Sequence, residues 1–257
     1  MTIQLEGMGS IYNQIVTKRK RGRKQFALLV DPDKTDHLFL GKVAQAAQRS
    51  EVDFIMVGSS LLTNSSINNC IRILKDHCSI PMVLFPGNPL QISPLADGIL
   101  FLSLISGRNP ELLIGNHVVA APLIKSSGLE VLSTGYVLVD GETMTTVAYM
   151  SNTQPIPRDK DEIAVCTSMA GEMLGHNLIY LDAGSGAKSP VSLSMISKVK
   201  EHIQVPLIVG GGIRNKTTAL EACNSGADII VVGNAIEEEQ GAEKLLESIA
   251  EAVHDYA

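Results

Sequence analysis

The chain has 257 residues, 45% of them hydrophobic and 19% charged, with a formal net charge of −6. That length suits one barrel of alternating strands and helices, the negative charge argues against a general nucleic-acid binder, and no apolar run approaches the roughly 18 residues of a membrane span. Met1 to Ser10 shows no basic segment leading into an apolar one, so a cytoplasmic location is expected, and the four cysteines lack any Cys-x-x-Cys pair, which suits free thiols.

In chain order, Lys18-Arg-Lys-Arg-Gly-Arg-Lys24 comes first, with six cations in seven residues. It reads either as a solvated connection into the first strand or as an anchor for anionic lipid headgroups or a partner, and the sequence leaves both open. The apolar run Phe26 to Val30 follows as a strand and ends in Asp31-Pro-Asp-Lys34. Asp31 therefore stands at a strand's C-terminal exit, where a barrel does its chemistry, and suits a metal or a substrate. Asp33 and Lys34 are read as turn and cap residues. A helix over Asp36 to Arg49 leads to a strand over Phe54 to Val57, after which Ser59 offers a hydroxyl. One carboxylate and one hydroxyl suffice for Mg2+, which keeps water and substrate phosphate as its remaining ligands.

A helix over Ser65 to Asp76 and a strand over Met82 to Phe85 come next. The linker Pro86 to Asp97 then holds Pro86, Pro89 and Pro94, too broken for a covering helix. One outer helix after the third strand is therefore expected to be missing or replaced. The bared surface would be covered by a reshaped segment, another subunit or an apolar ligand. Gly98 to Leu102 forms the fourth strand. Gly107 to Met150 is the hardest stretch to divide: Gly135 to Val139 fits a strand, and Thr143 to Met150 reads as extended, within a lid or hairpin.

A helix over Asp159 to Leu174 precedes the strand Asn177 to Leu181, which runs into Asp182-Ala-Gly-Ser-Gly-Ala187. A carboxylate beside a backbone-rich turn suits a small hydroxylated phosphate. After a helix over Val191 to His202, the strand Leu207 to Val209 delivers Gly211 and Gly212. After a helix over Lys216 to Ser225, the strand Ile229 to Val232 delivers Gly233 and Asn234, and a helix over Glu237 to Val253 closes the chain. Glycine turns on two adjacent strands allow close backbone approach to a phosphate, with Ser185 and Gly186 completing the pocket.

Eight Val/Ile/Leu-rich strands separated by helices predict a single α/β domain, residues 1–257, folded as a closed (β/α)8 barrel rather than a doubly wound open sheet. Val52-Asp-Phe-Ile-Met-Val-Gly58 is repeated as Ala227-Asp-Ile-Ile-Val-Val-Gly233 and echoed at Ala96-Asp-Gly-Ile-Leu100. Asp53, Asp97 and Asp228 precede their strands, at the end away from the site, and are read as structural. The six histidines have no metal-ligand spacing, and neither a Gly-x-Ser-x-Gly elbow nor a Walker loop is present, so the phosphate belongs to a small substrate.

Asp31-Pro-Asp-Lys34, Val57-Gly-Ser59, Ser106-Gly-Arg-Asn-Pro110, Thr134-Gly-Tyr136, Tyr180-Leu-Asp-Ala-Gly-Ser-Gly-Ala187, Val209-Gly-Gly-Gly-Ile213 and Val232-Gly-Asn-Ala235 follow one another in an order that resembles the geranylgeranylglyceryl and heptaprenylglyceryl phosphate synthases. The resemblance implies a barrel lacking one helix and a prenyltransferase that joins the 3-hydroxyl of sn-glycerol 1-phosphate to a long prenyl diphosphate, geranylgeranyl being the better guess. It implies Mg2+ on Asp31 and Ser59. Tyr180, Leu181, Asp182, Ala183, Gly184, Ser185, Gly186, Gly211, Gly212, Gly233 and Asn234 would bind glycerol phosphate, with Asp182 orienting or deprotonating its hydroxyl. Many relatives carry glutamate in place of Asp182, and some place a phosphate-binding lysine in place of Leu29. The family's longer branch, which this chain resembles, often forms dimers or hexamers, so a homo-oligomer is expected, with peripheral membrane contact through Lys18 to Lys24 as a further partner reading. The alternatives are a sugar-phosphate isomerase or epimerase using the same glycine turns and a non-catalytic phosphate-binding barrel.

Overall fold

The computed structural model describes residues 10–63, 66–233, 236 and 241–256. Its centre is a closed barrel of eight parallel strands, each hydrogen-bonded to its neighbours in sequence and the last to the first. The strands are β1 (Gln25–Val30), β2 (Phe54–Val57), β3 (Met82–Leu84), β4 (Gly98–Leu104), β5 (Glu130–Leu138), β6 (Leu178–Asp182), β7 (Leu207–Gly210) and β8 (Ile229–Val232). Alternation of side chains along each strand divides the core in two. Ala27, Phe54, Met56, Val83, Leu132, Tyr180 and Ile208 fill the interior, whereas Phe26, Leu28, Ile55, Leu84, Ile179 and Val209 face the outer helices. Most strands are covered on both faces, which is why they read as unbroken apolar runs; the outer side of β4 and the start of β5 are the exception, with Phe101 half-buried and Val131 exposed.

The helices are α1 (Ser10–Lys20), α2 (His37–Arg49), α3 (Ile67–His77), α4 (Asn116–Ser127), α5 (Thr146–Ser151), α6 (Asp161–Met173), α7 (Leu193–His202), α8 (Lys216–Asn224) and α9 (Ala242–His254). Side chains cap many of their N-termini: Asp36 accepts from Phe39 N, Ser192 from Met195 N and Asn215 from Thr218 N. Among the described residues, no covering α-helix lies between β3 and β4. The proline-rich linker instead makes one 3-10 turn, Pro89–Gln91, capped by Asn88. Gln91 is buried and ties this linker to the end of β2: its Nε2 donates to Ser59 O at 2.8 Å, while Oε1 accepts from Gly87 N at 3.1 Å.

The basic run is the last turn of α1 and the exposed turn leading into β1: Lys20, Arg21 and Arg23 are solvated, as the connection reading expects, while Lys18 and Arg19 make ion pairs. Helix α1 lies across the N-terminal end of the barrel: Ile11 and Ile15 join the interior cluster, and the Glu130 carboxylate accepts from Ile11 N and Tyr12 N at 2.8 and 2.7 Å. Lys18 pairs with Asp53, and Arg19 and Lys200 pair with Asp228. The repeated aspartates are structural, as expected. Asp53, Asp97 and Asp228 accept from Phe26 N, Met82 N and Leu207 N, each linking the start of its strand to the preceding one.

One expectation fails between β4 and β6. The span read as extended, 143–150, contains α5, capped by Thr145 Oγ1, which accepts from Ala148 N at 3.4 Å. Helix α4, entered through a π-helical turn at Glu111–Gly115, fills the stretch left undivided. Among the described residues no helix is long and apolar enough to cross a membrane.

Candidate active site

At the C-terminal mouth of the barrel, the ends of β1, β2, β6, β7 and β8 enclose a cavity of about 310 Å3. Asp31, just past β1, is held in place from three sides. Its Oδ2 accepts from Ser59 Oγ at 2.9 Å, its Oδ1 accepts from Asp33 N at 3.1 Å, and Lys34 Nζ lies 3.7 Å from Oδ2. Lys34 also reaches Ser185 Oγ at 3.5 Å, linking the β1 exit to the β6 turn. Asp33 turns away from Asp31 to accept from Thr63 N and Thr63 Oγ1 at 2.6 and 2.9 Å, which supports its reading as a turn residue.

Asp31 and Ser59 present hard oxygen donors to one wall of this cavity, a donor set that fits Mg2+. Among the described residues no group of three or more His, Cys, Asp or Glu side chains could hold a metal unaided.

Asp182 ends β6 with its side chain pointing inward, and only 6% of it is exposed. Tyr136 OH donates to Asp182 Oδ2 at 2.5 Å and Gly184 N donates to Oδ1 at 2.8 Å. Burial raises this carboxyl above the usual aspartate range, while the bonds from Tyr136 and Gly184 pull it down. Tyr136 is held far above the ordinary tyrosine value, first by burial and then by the charge of Asp182, so the shared proton belongs to the phenol. The rings of Tyr136 and Tyr180 meet edge to face with centroids 5.3 Å apart, and Phe85 completes the cluster at 6.0 and 5.7 Å.

Opposite these rings the glycine turns meet. Gly184, Ser185, Gly186, Gly211, Gly212 and Gly233 all line the cavity, joined by Arg214, whose guanidinium is anchored on Ala187 O at 3.1 Å. Gly211 has φ +79°, and a Cβ there would stand 2.7 Å from both Asp182 Oδ1 and Gly184 N. The backbone of β7 can come that close to β6 only without a side chain. Leu181 and Ala183 pack outward among the helices and do not line the cavity, so they contribute backbone alone. Asn234 lies outside the described residues.

A second cavity, about 390 Å3 and largely apolar, occupies the place of the absent helix between the proline linker and α4. Ile92, Ile99, Phe101, Ala120 and Ile124 line it, and it shares Ser59, Ser60, Phe85, Tyr136 and Val147 with the first cavity. Its volume falls within the range of pockets that hold a small organic ligand. Tyr136 stood in the sequence only as part of the Thr134-Gly-Tyr136 motif, with no role given to it, and Phe85, Arg214 and the groove residues were not singled out. Strand parity, with Leu132, Thr134, Tyr136 and Leu138 alternating inward along β5, could have found Tyr136. Arg214, two residues past a glycine turn, carries the charge a phosphate calls for.

A model of the PcrB family matches residues 15–253. The geranylgeranylglyceryl phosphate synthase of Chitinophaga pinensis is 53% identical over 244 residues, covering 95% of this chain and 96% of that one. The enzyme of the same name from Pyrococcus horikoshii is 41% identical over 251 residues, covering 96% and 97%. The crystal structure of (S)-3-O-geranylgeranylglyceryl phosphate synthase from Thermoplasma acidophilum in complex with sn-glycerol-1-phosphate has a TM-score of 0.90 to this fold at 31% identity, over 96% of this chain and 100% of that one.

Proposed function

The chain belongs to the PcrB family, and from that premise we propose that it joins the 3-hydroxyl of sn-glycerol 1-phosphate to a long-chain prenyl diphosphate, geranylgeranyl diphosphate above all. The observation that carries this reading is the meeting of two unlike cavities, one polar and glycine-lined, the other an apolar groove, at Ser59, Phe85, Tyr136 and Val147. An isomerase or epimerase acting on a sugar phosphate would have no use for the groove.

The glycerol phosphate lies in the first cavity, its phosphate against the turns at Gly184 to Gly186, Gly211, Gly212 and Gly233, with Lys34 and Arg214 supplying positive charge. Its 3-hydroxyl faces Asp182. The prenyl chain lies along the groove against Ile99, Phe101 and Ile124, Phe85 and Val147 at the junction exclude water from the allylic carbon, and its diphosphate reaches the Asp31 and Ser59 side. Asp182 takes the hydroxyl proton as the new C–O bond forms, and the electron pair of the old C–O bond leaves with the diphosphate. Asp31 and Ser59 would hold Mg2+, which when bound neutralises charge gathering on that leaving group. The aspartate's raised basicity suits a general base.

The deciding experiment is mass spectrometry of the products from geranylgeranyl diphosphate with sn-glycerol 1-phosphate or the 3-phosphate, with and without Mg2+. An ether formed from the 1-phosphate alone, and only with Mg2+, is expected. Absence of any ether across donors of several lengths would sink the proposal. Self-association belongs to the same reading: Val118, Val119 and Leu123 on α4, Ile163 and Met173 on α6 and Leu174 just past it are all exposed. Sedimentation as a monomer at micromolar concentration would remove it. Any membrane contact falls to the groove rim, where Leu90 and Tyr149 are exposed, rather than to Lys20, Arg21 and Arg23 at the opposite end. Vesicle co-sedimentation unchanged by Leu90→Ser would refute that placement.

A further inference from the structure

We propose that Tyr136 is a positioning residue that holds Asp182 ionised and aimed at the glycerol hydroxyl, acting through its phenol hydrogen bond. The inference rests on the prenyltransferase reading and on Asp182 as its base. Leu138 on β5 is in register with Asp182 on β6, which sets Tyr136 two residues back along the same inward-facing row. From there the phenol reaches forward to Asp182 Oδ2 at 2.5 Å while Gly184 N takes Oδ1, so the carboxylate is fixed at both oxygens. Neither group can swing away easily, because both are buried and the Tyr136 ring is wedged between Phe85 and Tyr180.

The kind of donor matters. A buried carboxylate without a donor would take up a proton and be lost as a base, whereas one paired with an ammonium or guanidinium would be a weak base. The charged groups that face this part of the cavity are engaged elsewhere: Lys34 with Asp31 and Ser185, Asp33 with Thr63, and Arg214 with Ala187 O. Tyr180, the remaining titratable neighbour, lies beside Asp182 on the same strand and is held far above its ordinary value by burial, hence neutral. A neutral phenol thus stabilises the anion without cancelling its charge.

The test is the pH dependence of kcat/KM for sn-glycerol 1-phosphate, with geranylgeranyl diphosphate and saturating Mg2+. In Tyr136→Phe the acid limb is expected to move up by about one pH unit, with a loss of about tenfold below the limb and a smaller loss on the plateau. Replacing Tyr136 by 3-fluorotyrosine, a more acidic phenol of nearly the same shape, moves the limb the other way and keeps the packing intact. A uniform drop at every pH, with both limbs unmoved, overturns the inference and leaves Tyr136 a packing residue. Asp182→Asn separates the two levels. If the limb disappears there but stays put in both Tyr136 variants, only the inference falls. If it persists there, the base assignment falls and takes the inference with it, and a wild-type chain that makes no ether refutes the function itself.

Discussion

Replacing Gly211 and, separately, Gly186 by alanine isolates what close approach contributes at the glycine turns. The two residues have nearly the same backbone, φ +79° and +78°. A left-handed backbone costs a residue with a Cβ about 1–2 kcal/mol, so each substitution carries that strain. They differ in what the new methyl meets: nothing within 4 Å at Gly186, but Asp182 Oδ1, Gly184 N and Ala183 N at 2.7, 2.7 and 2.9 Å at Gly211. All three obstacles are polar atoms on one rigid turn, so Gly211→Ala adds an overpacking cost of about 1–3 kcal/mol. At about 2–4 °C per kcal/mol for a chain of this size, the melting temperature should fall by about 3–6 °C for Gly186→Ala and about twice that for Gly211→Ala. The methyl also displaces the Asp182 carboxylate, so kcat in Gly211→Ala should drop by about a hundredfold. Differential scanning calorimetry and a fixed-time ether assay read the two effects. Equal melting temperatures in the two variants would refute the reasoning, because backbone strain would then account for everything and the β6–β7 approach for nothing.

Asp31→Asn should abolish Mg2+-dependent turnover while leaving calorimetric binding of sn-glycerol 1-phosphate within about threefold, and unchanged turnover would remove Asp31 from the metal site. Ala120→Phe fills the groove wall, so KM should rise more for a twenty-carbon donor than for a ten-carbon one, and parallel changes for both would place the chain elsewhere. Asp53 tests the barrel floor. Burial alone would raise its carboxyl, but the bonds from His254, Lys18 and Phe26 N outweigh that and hold it below the usual range. A depressed folded value stabilises the fold above the unfolded value near about pH 4, and this stability is lost as pH falls through the folded value. Asp53→Asn should therefore cost about 2 kcal/mol at neutral pH, with the gap in urea midpoints closing in acid; a gap independent of pH would contradict the ion-pair account.

The barrel was legible because a parallel strand buried on both faces leaves a short, unbroken apolar run, and all eight such runs became strands. Asp31, Ser59 and the glycine turns were legible for a related reason, since chemistry collects at strand exits. Helix α4 was hidden because Pro122 sits inside it and its outward face carries Val118, Val119 and Leu123, which erases the polar-apolar contrast of a surface helix. Helix α1 was hidden because only Ile11 and Ile15 are buried and its basic end finds partners more than thirty residues away, at Asp53 and Asp228. Tyr136 is a case of the same kind: its partner is 46 residues further along, and only closure of β5 against β6 brings the two together.

The linker tied down by Gln91 also sets the traffic of the reaction. On the proposed function, glycerol phosphate would come in at the mouth of the barrel and the prenyl chain would lie where the outer ring of helices is interrupted, the two cavities meeting at Ser59, Phe85, Tyr136 and Val147. Either substrate could then bind first, and an ether product spanning both cavities would have to vacate both before the next turnover, so its departure would slow as the donor lengthens.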